Sequence, residues 1–250
     1  MKPERLDKVL AAQSTWSRKD VKELIRKGQV TVNGLLARQA DQKIHWDRDQ
    51  VEVEVGGKPL ILRRHLYLMM NKPAGVVSAA RDENCPTVVD LVPPELRRQG
   101  LFPAGRLDKD TTGLVIITDD GELAHRILAP KSHVPKVYLA RLDSFLTTEM
   151  AEGFSKGIPL GEDGTTLPAE LVALDLDLAQ VTLREGMYHQ IKRMFAFYGA
   201  KVMELQRVSM GALALDKNLA PGQCRELSPL EAELLQERQT PDGASFFGLW

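Results

Sequence analysis

The sequence predicts an α+β protein in two parts, and three observations carry that reading. Apolar strand-like runs dominate from about residue 64 onward, helical patterns interrupt them irregularly, and no strand–helix–strand alternation runs through the chain. The charge is divided as well. Residues 1–64 hold 14 Lys and Arg against 9 Asp and Glu, and the remainder holds 19 against 25, although the whole chain carries only −1. A basic front module suits a phosphate backbone, although a surplus of five charges is also common on ordinary surfaces. Between the two regimes, Gly56-Gly57-Lys58-Pro59 breaks the pattern. The expected domains are residues 1–58 and 64–236, with a tail at 237–250, the boundary falling between about 57 and 64.

The bulk numbers agree with a globular protein. At 250 residues, 43% hydrophobic and 27% charged, there is room for a sizeable core. No apolar run approaches the roughly 18 residues of a membrane span, and Met1-Lys2-Pro3-Glu4-Arg5 opens no signal peptide. Cys85 and Cys224 lie far apart without metal-ligand spacing, so a reduced, cytoplasmic setting is expected.

In the first part, Leu6, Val9 and Leu10 share one helical face of residues 2–12. Ser17 is placed to cap a second helix whose apolar stripe is Val21, Leu24 and Ile25, and Gly28 stops it. Residues 29–34 read as a short strand ending in an Asn33-Gly34 hairpin turn, and residues 51–55 alternate as a half-exposed strand does. In the second part, strands are expected at 66–70, 76–78, 114–117, 136–140, 169–174, 181–183 and 201–208. Residues 87–91 read as a short helix or turn. Helices are expected at 122–128, capped by Asp119 or Asp120, and at 147–154 with a capping box. Another runs from about Tyr188 to Tyr198 and is ended by Gly199. The tail from Thr240 to Trp250 leaves docking and disorder both open.

The densest chemistry lies between Gly105 and Gly113, where an Arg, a Lys, two Asp and two Thr fall within seven residues and lead straight into an apolar strand. A buried strand fixes the loop it carries, which is why folds place chemistry on such loops. The same residue types also make ordinary turns.

GRLDKDTTGLVIITDDG, from Gly105 to Gly121, resembles the catalytic-aspartate motif of the RsuA-like pseudouridine synthases, which isomerise uridine within ribosomal RNA. The resemblance runs from about residue 4 to 235 and implies that Asp108 is the catalytic aspartate. In the first part, Arg5, Leu6, Asp7, Ser17, Arg18, Ile25, Gly28, Val30, Val32, Asn33 and Gly34 resemble an S4-like RNA-binding module. Its basic second helix and following turn face RNA, which here implies Arg18, Lys19, Lys22, Arg26 and Lys27, with Arg5 nearby. From charge pattern alone, that face reads equally as a solvated one. Such a module recognises the shape of folded RNA through phosphates rather than its sequence. The implied architecture is a small N-terminal S4-like RNA-binding domain followed by a mixed, largely antiparallel-sheet catalytic domain.

Three further residues enter through the same resemblance. Spacing alone makes Tyr138, in Lys136-Val137-Tyr138-Leu139-Ala140, a half-buried strand residue; the resemblance implies that its ring stacks on the target uracil. In the run from Glu185 to Phe195, it implies that a basic residue pairs with the aspartate. That position is Lys192 here, where many relatives have arginine, and a lysine lacks the bidentate geometry. Arg193, on the adjacent helix face, is the substitute or an RNA contact. An extended loop puts Arg106 on the same face as Asp108, within reach of a substrate phosphate; an exposed arginine is the plain alternative.

The chemistry explains the residue types. Pseudouridine formation breaks the C1′–N1 bond, turns the uracil and reattaches it through C5. Nothing is oxidised or hydrolysed, so no cofactor or metal is expected, and the sequence contains no P-loop, GxGxxG fingerprint or metal-ligand cluster. A carboxylate serves as nucleophile or base, and a neighbouring cation keeps it ionised, typically by about 1–3 pKa units. Extruding the base costs a few kcal/mol, which phosphate contacts and stacking offset. The segments from His189 to Phe195 and from Leu219 to Gly222 resemble the small-subunit enzymes. They imply 16S rRNA, or an assembling small-subunit particle, as partner of a monomer; 23S rRNA is the alternative. A non-catalytic RNA-binding assembly protein is a reading of another class, and it has no use for Asp108. A glycosidase using Asp108 and Asp110 fits poorly, because that chemistry needs about 5–10 Å between carboxyls across a sugar.

Overall fold

The computed structural model describes residues 2–46, 51–132 and 134–241. The chain divides into two compact units, Met1–Leu66 with Val92–Leu101, and Tyr67–Leu91 with Phe102–Trp250. Their division lies beyond the 57–64 region because residues 58–60 still pair within the first unit's sheet. Segment 92–101 rejoins that unit through backbone and side chain: Gln99 N donates to Ser14 O at 3.0 Å, and Arg98 donates to Arg63 O at 3.1 Å. Among the described residues no helix is long and apolar enough to cross a membrane. The end of the tail, residues 242–250, lies outside the described residues.

The first unit comprises β1 (Glu4–Arg5), α1 (Leu6–Ala12), α2 (Arg18–Arg26), β2 (Val30–Val32), β3 (Leu35–Leu36), β4 (Lys43–Ile44), β5 (Val53–Val55) and β6 (Lys58–Leu60). β1 pairs with β4, and the other four strands form a sheet in the order β3-β2-β5-β6. α1 starts later than the sequence suggests, because residues 4–5 are used in pairing with β4. Leu6, Val9 and Leu10 join Val21, Ile25, Val30 and Val53 in one core. Ser17 and Asp20 make a complete capping box. Asn33 and Gly34 have φ of 51° and 75°, the left-handed pair that a two-residue hairpin turn requires. Asp7 is fully buried between Arg5 at 3.1 Å and Arg18 at 2.9 Å. Burial opposes its charge, but the two guanidiniums outweigh burial and its pKa is lowered. Its contribution to stability is therefore present above the ordinary carboxylate range and lost as pH falls through the lowered value.

The second unit holds β7 (Tyr67–Lys72), β8 (Phe102–Pro103), β9 (Thr112–Thr118), α3 (Gly121–Leu128), β10 (Lys136–Leu142), α4 (Thr148–Lys156), β11 (Glu170–Ala173), β12 (Leu178–Leu183), α5 (Gln190–Ala196), β13 (Val202–Met210), β14 (Leu213–Ala214), β15 (Cys224–Glu226) and α6 (Pro229–Leu234). Its sheet runs β11-β12-β10-β13-β9-β7-β15, with β8 beside β9 and β14 beside β13. β13 and β9 run parallel and every other pairing is antiparallel. This is the mixed, largely antiparallel α+β sheet the sequence predicts. Met69, Leu114, Ile116, Ile127 and Met210 centre its core.

Four local expectations are corrected. Residues 76–78 form no strand, since only Val77 bridges Thr87, and 87–91 is a turn. Thr147 caps α4 by accepting from Met150 N at 3.2 Å, yet the capping box is half made, because methionine has no carboxylate to return the bond. α5 begins at Gln190 rather than Tyr188, because His189 adopts a left-handed conformation with φ of 48°. β12 starts at Leu178, earlier than the apolar run suggests. Gly113 explains how β9 lies against β13: its φ is +98°, and a Cβ there would sit 2.2 Å from Arg207 O.

Candidate active site

Asp108 lies on the loop joining β8 to β9, and that loop is fastened from beneath by residues 72–78. Lys72, with no exposed surface, donates from Nζ to Thr111 O at 2.7 Å, Pro73 O at 3.1 Å and Lys109 O at 3.3 Å. Gly75 N donates to Lys109 O at 2.8 Å. Ser78 Oγ donates to Leu107 O at 3.1 Å and accepts from Leu107 N at 3.0 Å. The carboxylate is therefore presented on a braced turn rather than a free one. Burial pushes the Lys72 ammonium down to about 8, with Asp110 and Asp108 opposing that shift.

A cavity of about 430 Å³ opens over this loop, and Asp108, Tyr138 and Lys192 all line it. Lys192 Nζ stands 3.2 Å from Asp108 and 2.6 Å from Asp110, so one ammonium serves two carboxylates. Both members of the Asp108–Lys192 pair are partly shielded, with side chains 27% and 24% exposed. Burial works against the Lys192 charge, but hydrogen bonds to Asp110 and Asp108 outweigh it and its pKa is raised. The Asp110 carboxyl is lowered, chiefly by its hydrogen bond from Lys192. α5 carries Lys192, and the turn before it is tied by buried Gln190, which donates to Glu185 at 2.7 Å and accepts from Met187 N at 3.0 Å. The left-handed His189 brings its Nε2 within 3.4 Å of Asp108 Oδ1, and its ring stacks on Tyr188 at 3.9 Å.

The remaining sequence candidates separate. Arg193 faces away from the carboxylates, pairing with Asp163 at 2.7 Å and donating to Leu160 O at 2.7 Å. Arg106 lines the cavity mouth, exposed, with no ion pair among the described residues. In the first unit, Arg5 and Arg18 are occupied by Asp7, while Arg26 and Lys27 meet Glu23 at 2.6 and 3.5 Å. Lys19 and Lys22 are exposed and make no ion pair among the described residues. Residues the sequence reading passed over also line or support the site: Lys72, Ser78, Lys136, His189 and Arg207. Lys72 had a signal, a lysine closing the strand of the apolar run Leu68–Met70 just after Asn71, and Lys136 another, opening the strand of Tyr138.

Residues 4–51 match the S4 domain and residues 66–197 match the family described as RNA pseudouridylate synthase, the class of an RNA-modifying enzyme. An uncharacterized RNA pseudouridine synthase of Bacillus subtilis (strain 168) is 46% identical over 239 residues, which span 94% of this chain and 99% of that protein. Ribosomal small subunit pseudouridine synthase A of Escherichia coli (strain K12) is 42% identical over 229 residues, 91% of this chain and 97% of that one. A crystal structure of a pseudouridylate synthase superposes with a TM-score of 0.65 at 36% identity, covering 93% of this chain and 99% of its own. The chain belongs to the RNA pseudouridine synthases, in their RsuA-like branch.

Proposed function

We propose that the enzyme isomerises one uridine of 16S ribosomal RNA, free or in an assembling small-subunit particle, with Asp108 as the catalytic carboxylate. One observation carries the site assignment: Lys192 is shared between Asp108 and Asp110 inside a hollow that Tyr138 also lines. The small-subunit target is supported by the relative of that name, 42% identical over 91% of the chain. Residues 1–58 hold the RNA, residues 64–236 carry out the chemistry, and the enzyme acts in the cytoplasm as a monomer without cofactor.

The steps follow from the side chains. The target base leaves its stack and enters the hollow, where the Tyr138 ring offers it a flat face. Asp108, paired with Lys192 at 3.2 Å, attacks the sugar carbon or removes a proton beside it as the C1′–N1 bond breaks. The loosened uracil turns within the hollow and rejoins the sugar through C5. Arg106 at the mouth receives a backbone phosphate.

The target is tested by mapping pseudouridines in ribosomal RNA from cells lacking this protein. One 16S uridine is expected to lose its modification; loss in 23S rRNA, or in no rRNA, overturns the assignment. RNA docking through the first unit gives a separate expectation. Lys19→Ala with Lys22→Ala lowers the slope of log affinity against log salt by about 2, with thermal stability unchanged. Arg18→Ala instead lowers the melting temperature, because Arg18 holds buried Asp7. An unaltered salt slope in the double variant removes the second helix from the RNA interface.

A further inference from the structure

We propose that Arg207 and Lys136 form a cationic floor beneath the uracil ring, which takes up the negative charge the ring acquires when its glycosidic bond breaks. The inference rests on the reading of this hollow as the synthase centre. Arg207 and Lys136 both contribute to the cavity wall that Tyr138 and Asp108 share. They are 2% and 8% exposed. Neither pairs with a carboxylate among the described residues. Arg207 Nε donates to Leu114 O at 2.8 Å, its Nη2 has no hydrogen-bond partner, and Lys136 Nζ donates only to Val134 O at 3.0 Å. Buried charges are ordinarily paired, because burial without a partner is costly. Two that lie unpaired around a ligand hollow point to an anion that arrives with the ligand.

The strands explain the placement. Tyr138 pairs directly with Arg207 across β10 and β13, and a register shift between Val137 and Tyr138 leaves Val208 as the extra residue of β13. Such bulges re-aim side chains and occur beside active sites. Lys136 and Tyr138 are two apart on one strand, so they share its cavity face. Burial first, then the Arg207 charge, pushes Lys136 down to about 8, as expected of two neighbouring cations with nothing to neutralise them. The exposed Arg106 at the mouth suits a backbone phosphate, whereas this pair lies deep beside the ring on which the base stacks.

The bond changes supply the anion. When C1′–N1 breaks, its electron pair stays on N1 and the charge spreads over N1, O2 and O4 of the ring. The sugar carbon is satisfied by the Asp108 carboxylate, either by bonding to it or by loss of the neighbouring C2′ proton to it. C5 then bonds to C1′, the carboxylate departs or the C2′ proton returns, C5 loses its proton, and N1 gains one. The ring charge is therefore transient, and fixed cations in a shielded site act most strongly on charge of that kind.

The test uses the full chain with a target-containing RNA under single turnover, following loss of the N-glycoside. Lys136→Met and Arg207→Gln are each expected to slow that step about 10²-fold while RNA affinity is kept. Placing 5-fluorouridine at the target supplies the discriminating readout, because fluorine stabilises the ring anion without the protein's help. Both deficits are expected to shrink with that substrate, and Lys136→Arg is expected to restore most of the rate. A deficit equal for uridine and 5-fluorouridine, or no deficit in Lys136→Met, overturns the floor. Lys136→Met decides the matter should Arg207→Gln fail to fold. Wild-type conversion of the uridine RNA is measured alongside, so failure of the floor is distinguished from failure of the synthase-centre reading.

Discussion

Asp108→Asn is expected to abolish isomerisation while leaving RNA binding intact. The amide keeps the shape of the carboxylate, the loop keeps its fastenings to Lys72, Gly75 and Ser78, and Lys192 keeps Asp110 at 2.6 Å. Only the negative charge and the basic lone pair are lost. A carboxylate acting as base contributes about 10²–10⁴-fold, and one forming a covalent intermediate has no substitute. The fall should therefore lie at or beyond about 10⁴-fold, measured as pseudouridine formed per enzyme on the cognate RNA. RNA affinity, set by phosphate contacts, should change by less than about twofold. A variant retaining a tenth of wild-type activity would remove Asp108 from its role.

Lys192→Met should produce the second largest effect. It leaves Asp108 and Asp110 without the cation they share, so attraction that held two anions in one loop becomes repulsion between them. Loss of one well-placed electrostatic partner costs about 10²–10³-fold in rate, and that is the fall expected here. Lys192→Arg should recover most of it, because guanidinium grips carboxylates at least as well as ammonium does. Stability on the acid side provides an independent readout. Asp110 has a folded pKa lowered by Lys192, so its contribution is present above the ordinary carboxylate range and lost as pH falls. Without Lys192 that loss disappears, and the melting temperature of Lys192→Met should fall less on acidification than that of wild type. Activity within threefold of wild type would show that the shared cation is dispensable.

Much of the architecture was legible where a local rule acts alone. Ser17, Gly28 and the Asn33-Gly34 turn shape their own backbone, so the front module could be read residue by residue. Strands β7, β9 and β10 were visible because burial on both faces favours continuous apolar runs. Expectation failed where a partner decides. Residues 76–78 are apolar enough for a strand but serve instead to hold the aspartate loop through Ser78. Tyr188 and His189 fit a helical pattern, yet His189 takes a left-handed backbone beside Asp108. The edge pairs β4, β6, β14 and β15 are two or three residues long, too short for any periodicity to register.

The candidate site divides in the same way. Its chemical identities lay in the sequence: an aspartate in a crowded polar loop, a strand tyrosine, and a lysine early in a late helix. Residue spacing alone did not say which of two adjacent cations meets the aspartate, since Lys192 and Arg193 differ only in the helix face they occupy; the motif resemblance pointed to Lys192, with Arg193 as its substitute. Packing of α5 sends Lys192 to Asp108 and Arg193 to Asp163. Nor could sequence disclose that Lys72 braces the loop or that Arg207 and Lys136 line its cavity, because those contacts join residues tens of positions apart. Local preferences depend on neighbours in the chain and survive in the order of residues. Long-range electrostatics depends on which strands lie side by side, and the folded sheet alone decides that.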